Sequence, residues 1–195
     1  MRIGIILYLL SGFLLTGNPT PLEIFPDFEK KIQKLADKQW KNITVKIKEI
    51  NLGETSRRVL EGRKIYALTT GDSTLGFVVV NKALGCHVGG CDSPTSSLEE
   101  SIDNSYEKFY YAVLYNVNFN IEEVKVLQYD SDFGYEICGK RWLRQFKGHK
   151  GCELQYEKQI DGITGATVSV KSITSDINNL CWIIDDLKDE LLKGL

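Results

Sequence analysis

From Ala166 to Leu191 the chain sets apolar residues at alternating steps of four and three: Ala166, Val170, Ile173, Ile177, Leu180, Ile184, Leu187 and Leu191. A stripe of that kind is one face of a long amphipathic helix. A helix this long cannot stand alone with its stripe in water, so the remaining chain must supply a surface to cover it. Strands are the candidates. Lys64 to Thr70 and Leu75 to Val80 flank the turn signal Gly71-Asp72 and read as a hairpin. Lys108 to Val117 and Ile121 to Tyr129 read as a second hairpin that turns near Asn118 to Asn120. Ile43 to Lys48 alternates apolar and polar, as a half-buried strand does. Pro26 and Asp27 open an expected helix to Trp40, with Phe28, Ile32, Leu35 and Trp40 at helical spacing. Gly85 to Pro94 is a glycine-rich loop, and Ser97 to Asp103 a short helix. The pattern predicts an α+β fold: an antiparallel sheet of hairpins packed against a long C-terminal helix and an N-terminal helix.

Length and composition bound the function classes. With 195 residues, 43% hydrophobic and 26% charged, the chain is expected to form a single globular domain over 21–195 behind a targeting segment at 1–20. Arg2 gives that segment a positive start. Ile3 to Leu15 is apolar apart from small interruptions, and Thr16 to Pro21 is small, polar and proline-containing. This is the pattern of a secretory signal. The apolar run is shorter than the ~20 residues that span a bilayer, which favours a cleaved signal and an exported protein, periplasmic or at the cell surface. A net charge of −2 argues against a nucleic-acid partner, whose binders carry a basic footprint. Lys140, Arg141, Arg144, Lys147 and Lys150 form the one basic cluster. It reads as a solvated helix face or as a docking patch for an anionic or protein partner.

The stretch Asp161-Gly-Ile-Thr-Gly-Ala-Thr167 sits where the long helix begins. Tyr156 to Ile160 reads as extended, and Asp161-Gly162 breaks it. Thr164 is the expected N-cap, with Gly165 and Ala166 opening a helix that runs to about Leu192. Thr167 then lies in the first turn. A helix N-terminus carries unpaired N–H groups and a partial positive charge, and phosphates collect there. Gly165 leaves room for a bulky ligand against the backbone. Lys171, four residues on, shares a helix face with Thr167 and either stays solvated or adds a cation. An alcohol needs a base or a metal to become a nucleophile, so a covalent bond at Thr167 requires an outside enzyme. The residues alone leave two readings open, an ordinary capped helix or a phosphate site.

Asp161, Thr164, Gly165, Ala166 and Thr167 match, position for position, the flavinylation motif of the FMN-binding domain family. The chain resembles the covalent-FMN subunits of sodium-pumping NADH:quinone oxidoreductase and of the Rnf electron-transport complex. The resemblance runs from about Gly71 to Leu187. It takes in the second hairpin, the loop Ser131 to Ile137 and the short helix Arg141 to Gly148. It implies FMN held covalently by a phosphoester to Thr167, with Asp161, Thr164, Gly165 and Ala166 completing the site. It also implies a separate flavin transferase that uses FAD and magnesium outside the cytoplasm, in keeping with an exported chain. Gly134, Tyr135 and Trp142 are candidate flavin contacts by the same likeness, and they read equally well as turn and core residues.

Five cysteines occur: Cys86, Cys91, Cys138, Cys152 and Cys181. Cys181, beside the helix stripe, is expected to be a buried free thiol. The other four can form two bridges, in any of three connectivities. Cys86-His-Val-Gly-Gly-Cys91 admits three readings. It could be a structural disulfide, internal or to Cys138 or Cys152. It could be a redox-active dithiol with His87 lowering a thiol's pKa. Or Cys86, His87 and Cys91 could offer three ligands to a metal that normally takes four. Cys-x-x-Cys-His is absent, so it is not a c-type haem site. His149 is expected at the surface.

The first expectation is therefore an exported electron-transfer flavoprotein with covalent FMN at Thr167, no metal and no catalytic acid or base. Its partners are the flavin transferase and a redox protein that could lie in the membrane. Two alternatives stand beside it: a flavin-linked reductase of small molecules or disulfides through the Cys86/Cys91 loop, and an exported binding module that receives no flavin.

Overall fold

The computed structural model describes residues 27–60, 62–87 and 106–193. Its elements, in chain order, are α1 (Glu29–Gln39), β1 (Lys46–Glu49), α2 (Glu54–Val59), β2 (Lys64–Thr70), β3 (Ser73–His87), β4 (Tyr106–Asn116) and β5 (Ile121–Gln128). A 3-10 turn at Tyr135–Cys138, the short helix α3 (Lys140–Leu143) and a second 3-10 turn at Arg144–Phe146 follow. The last described element is α4 (Thr167–Lys193), a helix of 27 residues. The five strands form one antiparallel sheet in the order β1-β2-β3-β4-β5. This is the expected α+β class. The expected targeting segment at 1–20, the expected helix at 97–103 and Cys91 lie outside the described residues.

The sheet is covered on both faces, which explains why β4 reads as nearly continuous apolar sequence. Successive strand residues point to opposite faces. Phe109, Tyr111, Val113 and Tyr115 of β4 face the α4 layer together with Ile65, Phe77 and Val79. Ala112 and Leu114 face α1 with Tyr66, Leu68, Val78 and Val80. Val170, Ile173, Ile177, Leu180, Ile184, Leu187 and Leu191 of α4 are all buried, as the four-three spacing requires. Each such side chain contributes about 1.5–3 kcal/mol when removed from water. α1 buries Ile32, Leu35 and Ala36 against the opposite face.

A polar network pins α4 to the sheet. Arg63, just before β2, pairs with Asp176 of α4, Nη2 to Oδ1 at 3.0 Å, with both side chains mostly buried. The other Asp176 oxygen accepts from Asn81 of β3 and from the Tyr111 hydroxyl of β4. Burial first, and the Asp176 charge second, hold the Tyr111 hydroxyl well above its ordinary value.

Several expectations are corrected. β3 does not end at Val80. It runs on to His87, because β4 pairs with it as far as His87 opposite Tyr106, so the first part of the expected glycine-rich loop is strand. Tyr156 to Ile160 is a tight turn, not a strand, closed by a Tyr156–Ile160 bridge with Glu157 at φ 60. The helix opens later than the composition suggests. Its first bond runs from Val170 N to Ala166 O, so Ala166 is the N-cap and Thr167 the first helical residue. Thr164 and Gly165 form the turn before it. Cys181 is not a free thiol. It is bonded to Cys152, which joins the loop before the motif to α4. The remaining free cysteine among the described residues is Cys138, and it is exposed.

Candidate functional site

The motif occupies the turn at 161–166 and the first residues of α4, and its placement is set by contacts on both sides. Behind it, Asn178 of α4 holds the backbone of Leu154. Leu154 N donates to Asn178 Oδ1 at 2.9 Å, and Asn178 Nδ2 donates to Leu154 O at 2.8 Å. The Cys152–Cys181 disulfide anchors the same loop. In front, Trp142 Nε1 donates to Asp161 O at 2.8 Å and Asp161 N donates to Gln145 Oε1 at 2.9 Å. The backbone at Asp161 is thus held at both its polar groups by the short-helix segment. Ala166 N donates to Ile163 O at 3.0 Å and closes the turn.

The motif residues divide by exposure. Asp161, Thr164 and Gly165 face solvent, Thr167 is partly exposed, and Ala166 is buried beneath them. Gly165 takes φ 83, the left-handed region, and a Cβ built on it would meet nothing within 4 Å. Glycine is required there by conformation, and the space beside it is open. The N–H groups of Thr167, Val168 and Ser169 precede the first helical bond. A cavity of about 610 Å³ runs along α4 from this point, lined by Val168, Lys171 and Ser172 of the helix and by Lys82 and Lys108 of the sheet.

Gly134 lies in the same neighbourhood, on the opposite side of the first turn. At φ 79 it packs so closely that a Cβ would come 2.5 Å from Cys86 Sγ, 2.7 Å from the Tyr129 hydroxyl and 2.8 Å from Ser169 Oγ. The Tyr129 hydroxyl donates to Phe133 O at 2.6 Å, which leaves its oxygen to accept from Ser169 Oγ at 3.0 Å. Desolvation by burial raises the pKa of that hydroxyl. Cys86 is disulfide-bonded, so its sulfur has no hydrogen to give; it lies 3.3 Å from Ser169 Oγ. Neither Cys138, which is free, nor Cys152, which is bonded to Cys181, is its partner. A disulfide sulfur is not a thiolate, so Cys86 is not a metal ligand in this form.

This packing fixes the loop that displays Phe133 and Tyr135, which are 41% and 59% exposed and therefore able to meet a flat ligand. Trp142 is different. It is buried, stacks edge-on against Phe146, and acts on the motif through its N–H. His149 and the five basic residues from Lys140 to Lys150 are exposed. Lys147 also pairs with Glu122 at 3.2 Å.

Two contributors were not legible as site residues: Gln145 and Ser169. Gln145 and Ser169 carry no local signal, because their roles arise from contacts across the fold. No curated protein matches the chain. Residues 106–181, from β4 into α4, match the family model of the FMN-binding domain, and FMN is the cofactor that match supports.

Proposed function

We propose that the protein is an exported electron-transfer flavoprotein whose FMN is joined by a phosphoester to Oγ of Thr167. One coincidence carries the reading. Thr167 closes the matched motif within the FMN-binding segment, and it is also the partly exposed first residue of α4, next to a left-handed glycine with open space beside it. The residues present suit FMN. The N–H groups of Thr167, Val168 and Ser169 favour a phosphate. Lys171 stands one turn further on the same face. Asp161, Thr164, Gly165 and Ala166 shape the turn, held by Trp142 and Gln145. Gly134 and Tyr135 belong to the aromatic loop across the first turn, suited to a flavin ring.

FMN, when bound, supplies the electron-transfer chemistry; the protein fixes its place and tunes its surroundings. No side chain is asked to act as a general acid or base. Maturation requires a flavin transferase, and electron flow requires a redox partner, which could be membrane-bound. Export rests on the signal-like pattern from Arg2 to Pro21. The test is intact mass after co-expression with a flavin transferase. The wild-type chain is expected to gain one FMN, and Thr167→Ala to gain none. An unmodified wild-type chain would instead leave an exported binding module.

A second reading is favoured by the Cys86 disulfide, whose sulfur contacts Ser169 in the first turn of α4. With reduced FMN bound as the source of two electrons and two protons, that disulfide would open to a dithiol. The protein would then be a flavin-linked reductase working through the Cys86/Cys91 loop. Anaerobic photoreduction of the loaded protein, followed by thiol alkylation, should label two more cysteines than the oxidised sample. Equal labelling removes this reading.

A further inference from the structure

A groove of about 520 Å³ lies along β5, the edge strand of the sheet, between the end of α1 and the segment from Cys138 to Lys147. Lys38, Lys125, Lys140, Arg144 and Lys147 line it, together with the apolar Val126 and Leu143. Glu122 and Glu123 are its acidic residues, and both are already matched. Lys38 Nζ pairs with Glu123 at 2.6 Å, and Lys147 Nζ with Glu122 at 3.2 Å. Gln39 and Asn116 also donate to Glu122, at 3.3 and 2.9 Å. Lys125, Lys140 and Arg144 form no ion pair among the described residues. Five of the chain's 24 basic residues fall from Lys140 to Lys150 with no acidic residue among them, although the whole chain carries a net charge of −2. Like charges gathered this way repel one another, and no carboxylate of the described fold offsets those of Lys125, Lys140 and Arg144.

The segment that carries most of this charge has two sides. Lys140, Arg144 and Lys147, at helical spacing, line the groove. Trp142 and Gln145, between them in sequence, hold the backbone of Asp161 instead. A molecule seated in the groove is thus one helix width, about 10 Å, from the motif. We propose that the groove is the docking site for an acidic segment of a partner protein, whose carboxylates meet Lys125, Lys140 and Arg144. Arg144 offers a carboxylate a two-pronged donor, and the lysines offer point charges. Shape favours a protein over an anionic membrane. The site is concave, and none of the large exposed apolar side chains that could enter a bilayer lines it. A second copy placed groove to groove would bring like charges together. Docking does not require FMN at Thr167; with FMN there, the partner is the protein that gives the flavin electrons or takes them.

The test uses the full chain with a short rhodamine-labelled peptide of alternating Asp and Ser, its Lys-for-Asp counterpart, and vesicles of phosphatidylserine and phosphatidylcholine in equal parts. Anisotropy gives Kd. Cys138 gives position, because it lines the groove, is exposed and is the free cysteine among the described residues. The acidic peptide should bind at about 50 mM salt, bind more weakly at about 300 mM, and slow alkylation of Cys138 by iodoacetamide. The Lys peptide should not bind. Lys140→Glu with Arg144→Glu should raise Kd at least about tenfold at an unchanged melting temperature, since both side chains are exposed and unpaired. Lys46→Glu with Lys48→Glu makes the same change in net charge on β1, at the opposite edge of the sheet, and should raise Kd less than about twofold. Equal losses in the two double variants overturn the proposal, as does peptide binding that leaves Cys138 alkylation unchanged. Vesicle binding without peptide binding assigns the charges to a membrane surface and overturns it too, and so does a chain that binds neither. None of these results depends on flavin gain, so docking and attachment at Thr167 fail separately.

Discussion

At the scale of single residues, the site depends on a few atoms whose replacement has calculable consequences. Gly134 needs both a left-handed backbone and the absence of a Cβ. Gly134→Ala would add a left-handed penalty of about 1–2 kcal/mol and a clash with Cys86, Tyr129 and Ser169. Urea denaturation should show a loss of at least about 2 kcal/mol, and a smaller loss would mean that the loop moves easily. Trp142→Phe keeps most of the packing but removes the donor to Asp161 O. It should cost about 1 kcal/mol of stability and slow flavin gain, read by denaturation and by intact mass. Asp161, Gly165 and Thr167 are legible in the chain because turn and cap chemistry is local. Trp142 is legible as an aromatic near the site but not as a donor to the motif backbone, since its partner is 19 residues away.

At the scale of elements, α4 organises the molecule. Its stripe is read from spacing alone, and its burial follows that reading residue by residue. How α4 is fastened is not readable this way. The Cys152–Cys181 disulfide closes a loop with a sequence separation of 29. A closed loop of that length stabilises by about 3–4 kcal/mol, chiefly by restricting the unfolded chain. Cys152→Ser should lower urea stability by that order, and a loss under about 1 kcal/mol would show that the unfolded state gains little freedom. Asp176→Asn should be destabilising by about 3 kcal/mol, because it leaves the Arg63 charge buried against a neutral partner. The reach of β3 to His87 also escaped local signals. Glycine-containing sequence becomes strand there because β4 offers a ladder to join.

At the scale of the whole molecule, a sheet covered on both faces buries tyrosine hydroxyls deep in the α4 layer. Tyr111 and Tyr115 are held above their ordinary value of 10.0, in both cases first by burial and then by the Asp176 charge. Above that pH the unfolded chain loses these protons while the folded chain keeps them. The stability they contribute is complete below pH 10.0 and declines as pH rises through the folded values. Denaturation midpoints should therefore fall steadily above about pH 10, and a flat profile to pH 11.5 would contradict the burial of both hydroxyls. Read alone, the chain determined its α+β class, the long helix, the hairpins and the place of the Asp161-to-Thr167 motif. Each of these is written in periodicity or turn chemistry within a few neighbouring residues. Only the folded molecule decided that Cys181 meets Cys152, that Cys86 lies under the first turn of α4, and that Gln145 and Trp142 grip Asp161. Those contacts join distant parts of the chain, and strand register and helix docking create them.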